Sequence, residues 1–124
     1  MLVCGVAIAA DITGRWEGVF TFEIGDTIVP MHVTIKMEQN KDGAIMGKYE
    51  AFDDVYGLDI GTIRGELSGG ILTFELLGSN RCVGRYRGEG YLSQDETQIE
   101  YSLVGWDICN DDFISGLGRL FFVE

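Results

Sequence analysis

Short turn signals recur along this sequence, and they agree on which residues of the flanking segments share a face. Turns centred on Gly25-Asp26 and on Asp95-Glu96 each place apolar residues and glycines opposite one another. Cross-strand partners share a sheet face, and a slip of one residue would move them all to the other face. The agreement predicts an antiparallel meander with one buried face. The predicted pairs are Phe22–Val29, Phe20–Met31, Gly18–Val33, Trp16–Ile35, Leu92–Ile99, Gly90–Tyr101, Gly88–Leu103 and Tyr86–Gly105.

Two further turns extend this pattern. In the run 40–43, Gly43 suits the left-handed position of a three-residue loop, which places Tyr49 opposite Ile35 and therefore inward. The Gly69-Gly70 turn places Phe74 over Gly65, so that an aromatic ring covers a strand glycine. A polar loop is predicted over 53–59. The predicted strands are about 15–24, 27–38, 44–52, 60–67, one between Gly70 and Gly78, 82–92, 98–106 and 113–123.

Composition agrees with an all-β fold. The 124 residues include 18 glycines and one proline, and 46% are hydrophobic. Many short strands joined by glycine turns are typical of barrels and sandwiches. Pairing the eighth strand with the first would remove both open sheet edges. The sequence therefore predicts one domain over residues 1–124, an eight-stranded antiparallel up-and-down barrel preceded by an N-terminal extension of residues 1–11.

Charge limits the partners of this chain. It has 20 acidic and 9 basic side chains, for a net charge of −11. Such a surface repels nucleic acid and anionic membranes, which are bound through Lys and Arg. No apolar stretch is long enough to span a bilayer. We therefore expect neither a nucleic-acid partner nor a membrane span.

The N-terminal extension has two interpretations. Residues 2–10 are apolar, and Ala7-Ile8-Ala9 resembles the small-x-small cleavage site of a signal peptide, although a basic segment before it is missing. The stretch is either a signal remnant or an extra strand on a sheet edge or a partner chain. The first interpretation favours a periplasmic or secreted protein over a cytoplasmic one.

The hairpin register predicts which cysteines lie opposite each other. The pairing Tyr86–Gly105 continues through Gly84–Asp107 to Cys82 opposite Cys109. Opposed residues of an antiparallel pair lie within the Cα separation that a disulfide tolerates. The sequence predicts either this disulfide, with Cys4 unpaired, or two buried free thiols.

The barrel interior is predicted to combine aromatic side chains with many glycines. The glycines serve strand curvature, with aromatics filling the room, or they leave a cavity. Tyrosine hydroxyls need partners when buried, and a ligand can be one. No catalytic or metal motif is present, and no cofactor is predicted. The candidate ligand-binding residues are Phe20, Phe22, Phe74 and Phe122 for an apolar body, and Tyr49, Tyr86 and Tyr101 for a polar end.

Other polar residues are predicted to lie outside. His32 falls on the outer face and has no second histidine for a zinc site. Arg85 and Arg87 also face outward, with Arg85 opposite Trp106. Two groups of acids are predicted to lie in solvated loops, since their spacing fits no EF-hand. These are Asp53, Asp54 and Asp59, and Asp107, Asp111 and Asp112.

The segment Ile12-Thr13-Gly14-Arg15-Trp16 resembles the Gly-x-Trp signature of the calycin barrels, the lipocalins and avidins. The resemblance implies that Trp16 closes the narrow end of a barrel and that Arg119, from the last strand, covers it. The run 43–51 is similar to the third strand of avidin and streptavidin, and Tyr49 matches the tyrosine that holds the ureido oxygen of biotin.

Most other biotin contacts of that family have no match here. Gly18 and Ala51 stand where the family has polar partners, and Leu103 stands near the place of its late tryptophan. Phe74 is the nearest residue to the fifth-strand aromatic wall, and Gly118-Arg119 replaces the eighth-strand aspartate. Each missing buried hydrogen bond costs about 1–3 kcal/mol, so biotin binding is not predicted.

Three functions remain open. The first is a barrel that binds a small, largely apolar molecule without chemistry. The second is a filled structural or interaction barrel that forms a homodimer or a larger homo-oligomer. The third is a barrel cyclase or isomerase that uses tyrosines and an inward acid such as Asp107. A cavity would favour the first over the second, and a carboxylate within reach of an inward tyrosine would favour the third.

Overall fold

The computed structural model describes residues 10–24, 26–54, 57–78, 84–107 and 112–124. Every element in these ranges is a β-strand, and each strand pairs with its neighbours in the chain in antiparallel fashion. β8 pairs with β1, which closes the barrel. This confirms the predicted all-β meander barrel. The strands are β1 (Gly14–Ile24), β2 (Thr27–Gln39), β3 (Ala44–Asp53), β4 (Gly57–Ser68), β5 (Ile71–Gly78), β6 (Gly84–Leu92), β7 (Gln98–Asp107) and β8 (Asp112–Phe122).

The register of the predicted hairpins is confirmed. Trp16 pairs with Ile35, Tyr49 with Ile35 on the other side, and Phe74 with Gly65. Gly43, Gly69 and Gly70 have φ angles of 88°, 59° and 79°, the left-handed conformations that these turns require.

The predicted turn at Asp95-Glu96 lies within a connection of residues 93–97, the length that the predicted strands 82–92 and 98–106 leave. β6 ends at Leu92 and β7 begins at Gln98. The Asp95 carboxylate accepts hydrogen bonds from the hydroxyls of Ser93 and Thr97 and from the Thr97 backbone amide, and these hold the loop. The register is the predicted one because the loop has the predicted centre, so Leu92 pairs with Ile99.

The polar loop predicted over 53–59 is largely strand. β3 continues to Asp53, which pairs with Gly57, and Ala51 pairs with Asp59. Aspartate is uncommon in strands, and this favoured the loop interpretation. The two-residue alternation nevertheless continues through Tyr49, Ala51 and Asp53, which turns Asp53 inward, and the pairing with Ala51 places Asp59 on the same face.

Trp16 and the segment that precedes β1 lie together at the barrel end where β1 begins. Trp16 is 1% exposed, and its Nε1 donates a hydrogen bond of 3.0 Å to the carbonyl of Ile12, which is fully buried. The Gln39 side chain holds this segment by accepting from the Ile12 amide and donating to the Ala10 carbonyl. Trp16 is therefore buried at the barrel end where β1 begins, with the segment before β1 bonded to it.

Arg119 does not cover Trp16, and this implication of the resemblance is wrong. Gly118 lies opposite Phe20 on the inner face, and the next residue of a strand points to the opposite face. Arg119 is half-exposed on the outer wall, where its guanidinium pairs with the Glu100 carboxylate of β7. The Trp16 indole is instead bonded to the carbonyl of Ile12, which is itself buried.

The remaining predictions concern polar side chains on the outer face, the N-terminal extension and the cysteines. His32, Arg85 and Arg87 are exposed on the outer face, as predicted, and Arg85 pairs with Trp106. The predicted loop position of Asp107 and Asp112 is wrong, because these residues end β7 and begin β8 and pair with each other. The extension up to residue 9, all three cysteines and Asp111 lie outside the described residues, as do the side chains of Asp107 and Asp112. No helix in the described ranges is long and apolar enough to cross a membrane.

Candidate ligand-binding cavity

The barrel encloses a cavity of about 290 Å³. All eight strands contribute to its wall, and most of the lining side chains are aliphatic or aromatic. The cavity extends to the barrel end at which β3 stops and β4 starts, where Gly57, Leu58 and Asp59 line it. Its volume is close to the lower limit of about 300 Å³ for small-molecule sites.

An aromatic wall crosses the interior. The Phe20 ring stacks between Phe22, at a centroid distance of 6.0 Å, and Tyr101, at 5.8 Å. Phe74 meets Tyr101 edge to face at 5.9 Å. Offset and edge-to-face pairs of this kind are favourable beyond their buried area. The wall is therefore a preformed apolar surface made from β1, β5 and β7.

The aromatic rings occupy space that is open because the residues facing them are glycines. A Cβ atom on Gly118 would lie 2.4 Å from Cζ of Tyr101, and one on Gly116 would lie 2.6 Å from Cζ of Phe20. The rings therefore occupy the space that the glycines leave, and a cavity still remains. The sequence allowed either glycines whose space is filled by aromatic rings or glycines that leave a cavity. The structure has both: rings fill part of the interior, and a cavity remains.

The polar end of the cavity is built by β3 and β4. The Tyr49 hydroxyl donates a hydrogen bond of 3.0 Å to Oδ2 of Asp59. Burial, and then the negative charge of Asp59, raise the pKa of Tyr49 well above its ordinary value, so the phenol keeps its proton. Asp53, which is 3% exposed, also lines this end. The polar end thus combines a phenol donor with two carboxylates.

Six of the seven residues predicted to contact a ligand line the cavity. They are Phe20, Phe22, Phe74, Tyr49, Tyr86 and Tyr101. Phe122 does not line it: the ring is 44% exposed and lies at a centroid distance of 5.3 Å from Trp16, its partner in the β1–β8 pairing.

Asp53 and Asp59 are the site residues that the sequence interpretation placed elsewhere. The signal that identifies them is the inward alternation from Tyr49 through Ala51 to Asp53, together with the pairing of Ala51 and Asp59. None of the cavity-lining residues that the structure describes is Lys, Arg or His. In the same described ranges, no three acidic, histidine or cysteine side chains group as a metal site would require.

Comparison with known proteins supports the architecture. No protein-family model matches the sequence, and no curated protein matches it. Among solved structures, the chain is similar to a de novo designed fluorescence-activating β-barrel, with a TM-score of 0.61 and 18% identity over 90% of this chain and 93% of the other. At these identities, the likeness shows the fold alone.

Two natural proteins have a comparable likeness. One is a protein of unknown function of the DUF3598 family from Nostoc punctiforme, with a TM-score of 0.58 and 14% identity over 91% of this chain, which spans only 48% of that protein. The other is an S-type phycobiliprotein lyase from Guillardia theta, with a TM-score of 0.58 and 10% identity over 91% of this chain and 89% of that one. These comparisons do not show kinship with avidin.

Proposed function

We propose that this protein binds a small, largely apolar molecule inside its barrel and does no chemistry on it. The observation that carries the proposal is the cavity of about 290 Å³, walled by apolar side chains from every strand. Removing apolar ligand surface from water contributes about 25 cal/mol per Å², which supplies the driving force. The names of two similar barrels, one fluorescence-activating and one a phycobiliprotein lyase, are compatible with this use of the fold.

Titration with the neutral fluorophore N-phenylnaphthylamine tests the proposal. The fluorescence should rise and saturate at one site per chain. Ala51→Leu fills the cavity from β3 and should abolish the signal, whereas Ala44→Leu adds the same side chain at an exposed position of the same strand and should not. A folded Ala51→Leu variant that binds the probe like the wild type would contradict the proposal, as would a wild-type protein with no saturable binding.

One observation supports the alternative function, a structural or interaction barrel that forms a homo-oligomer. Apolar side chains are exposed on the outer wall of β7 and β8. The cavity argues against a filled barrel, but a ligand-binding barrel can still associate through this wall. Sedimentation velocity tests it: Leu117→Glu should dissociate such a homo-oligomer, and a monomeric wild type would exclude it. The exposed residues are Val104, Trp106, Phe113, Leu117 and Phe121.

An enzymatic function is supported by the Tyr49–Asp59 pair. A carboxylate beside an apolar cavity can take a proton from a bound molecule, and the Tyr49 hydroxyl that donates to Asp59 holds this carboxylate in position. Proton NMR of phenylacetone in D₂O measures such abstraction directly. An enzyme would exchange the α-protons faster than buffer does, and Asp59→Asn would remove the excess. Exchange at the buffer rate would exclude this chemistry for this probe.

A further inference from the structure

We propose that the ligand of the cavity is a neutral, largely apolar molecule with a carbonyl-type oxygen, which accepts a hydrogen bond from the Tyr101 hydroxyl. This inference rests on the proposed binding function and specifies its ligand class and its polar contact. The contact lies within the aromatic wall of Phe20, Tyr101 and Phe74. Tyr101 is therefore the residue that selects ligands with an acceptor.

The first argument is that a buried hydroxyl faces the cavity without a hydrogen bond. Tyr101 is 7% exposed and lines the cavity. No residue that the structure describes forms a hydrogen bond with its hydroxyl, whereas the Tyr49 hydroxyl is bonded to Asp59. Burial alone raises the pKa of Tyr101 well above its ordinary value, so the phenol keeps its hydrogen. Buried hydroxyls need partners, and a molecule bound in the cavity can supply one.

The second argument is that neighbouring strands fix the position of this hydroxyl. Tyr101 pairs with Gly118 of β8, and a Cβ atom on Gly118 would lie 2.5 Å from the hydroxyl oxygen, so the ring extends across this glycine. Phe20 stacks on the ring at an interplanar angle of 10°, and Phe74 meets it at 71°. A donor held in this way loses little freedom when a ligand binds, so its hydrogen bond contributes to affinity.

The third argument is the chemistry of the phenol. It has one hydrogen to donate, and only an acceptor on the ligand can take it. A ligand that carries only a donor, or no polar group, would bury that hydrogen unpaired and lose affinity. The described residues that contact the ring, Phe20, Phe74 and Gly118, carry no charge. An ionic acceptor would lack a counter-charge among them, so a neutral carbonyl oxygen is the matching group.

Diphenyl compounds of similar shape test the inference. Benzophenone carries an acceptor oxygen, diphenylamine carries a donor N–H, and diphenylmethane carries neither. Each is used to displace N-phenylnaphthylamine from the wild-type protein, and each affinity is divided by the water-to-hexane partition ratio of the compound. This division removes differences in hydrophobicity, because hexane forms no hydrogen bonds. On this scale benzophenone should bind at least about fivefold more tightly than diphenylmethane, a factor that one hydrogen bond supplies.

Matched variants locate the contact. Tyr101→Phe keeps the ring and removes the hydroxyl, so it should weaken benzophenone by about fivefold and change diphenylmethane and diphenylamine by less than about twofold. Tyr91→Phe makes the same change on the outer face of β6, where the side chain is 56% exposed and bonded to Glu89, and should leave all three affinities unchanged. A larger benzophenone loss in Tyr49→Phe than in Tyr101→Phe would place the acceptor at the polar end and overturn the inference.

Infrared spectroscopy of bound benzophenone detects the hydrogen bond directly. A hydrogen bond weakens the carbonyl bond, so the stretching band should lie at a lower wavenumber in the wild-type complex than in hexane. In Tyr101→Phe the band should return towards its position in hexane. A wild-type band at the hexane position would overturn the inference even where Tyr101→Phe does not fold.

The outcomes separate this inference from the function on which it rests. Equal normalised affinities of benzophenone and diphenylmethane would overturn the acceptor contact and leave apolar binding standing. A diphenylamine affinity that falls in Tyr101→Phe while that of benzophenone does not would likewise overturn it. A failure of the fluorophore and of all three diphenyl compounds to bind would overturn the proposed function itself.

Discussion

The ring of Phe74 lies over Gly88 on the neighbouring strand. The two residues pair directly between β5 and β6, and a Cβ atom on residue 88 would lie 2.1 Å from Cζ of Phe74. The ring in turn forms part of the cavity wall. The size of residue 88 therefore determines where this wall stands.

Gly88→Leu should abolish fluorophore binding, because the new side chain pushes the Phe74 ring into the cavity. Arg87→Leu, which places a leucine on the outer face one residue earlier, is the control and should bind normally. Combining Gly88→Leu with Phe74→Ala should recover part of the binding, since neighbours that share space are coupled. Circular dichroism confirms that each variant folds, and normal binding by a folded Gly88→Leu protein would refute the coupling.

Trp16→Ala should lower the free energy of unfolding by about 3–5 kcal/mol, the usual cost of removing a large buried aromatic. The indole is 1% exposed and also loses its hydrogen bond to Ile12. Trp106→Ala is the matched control: this side chain is 46% exposed on the outer wall, and its loss should cost less than about 1 kcal/mol. Urea denaturation measures both, and equal losses would mean that Trp16 does not close the barrel.

Arg119→Ala should change the free energy of unfolding by less than about 1 kcal/mol, the usual value of an exposed ion pair. The guanidinium contacts Glu100 on the outer wall and is half-exposed. A residue that covered Trp16, as the calycin resemblance implied, would cost more. Urea denaturation with Glu100→Ala as the companion variant measures this, and a loss of several kcal/mol from Arg119→Ala alone would restore the covering role.

Stability should fall as pH rises above about 10, the ordinary pKa of tyrosine. Burial raises the pKa of Tyr101 and of Tyr49, with the charge of Asp59 adding to the effect at Tyr49. Below the ordinary value both states keep the phenol proton and the contribution is fully present. Above it the unfolded chain ionises first, so each residue costs up to about 1.4 kcal/mol per pH unit.

Phenylalanine variants at these two positions check this expectation. Tyr101→Phe and Tyr49→Phe should each flatten the decline of the urea midpoint above about pH 10 and leave its slope below that pH unchanged. A wild-type midpoint that stays level through this range, or variants with the wild-type slope, would contradict the assignment.

Local chemistry made the hairpins predictable. The left-handed glycines Gly43, Gly69 and Gly70 fix turn geometry within a few residues, and the two-residue alternation then carries the register along each strand. The inward direction of Tyr49 followed in this way, as did the outward direction of His32. At Asp95 the centre of the turn and the register were both right, because the register depends only on that centre.

The same alternation indicated that Arg119 faces out, since Gly118 and Leu120 face in. The family likeness favoured a covering role for it instead. Asp53 and Asp59 present the opposite case. Their low strand propensity favoured a loop, whereas pairing between β3 and β4 extends both strands and turns the carboxylates inward.

The sequence by itself determined the strand order, the hairpin registers and the inner and outer faces, because turns and alternation act between neighbours in the chain. Only the tertiary structure decided how β8 meets β1, that the Ile12 carbonyl accepts a hydrogen bond from the Trp16 indole, and that a cavity of about 290 Å³ remains with Asp53 and Asp59 at one end. These features depend on how side chains from distant strands share the interior. A ring such as Phe74 fills or vacates that space according to the residue across from it, and no local rule sets the remaining volume.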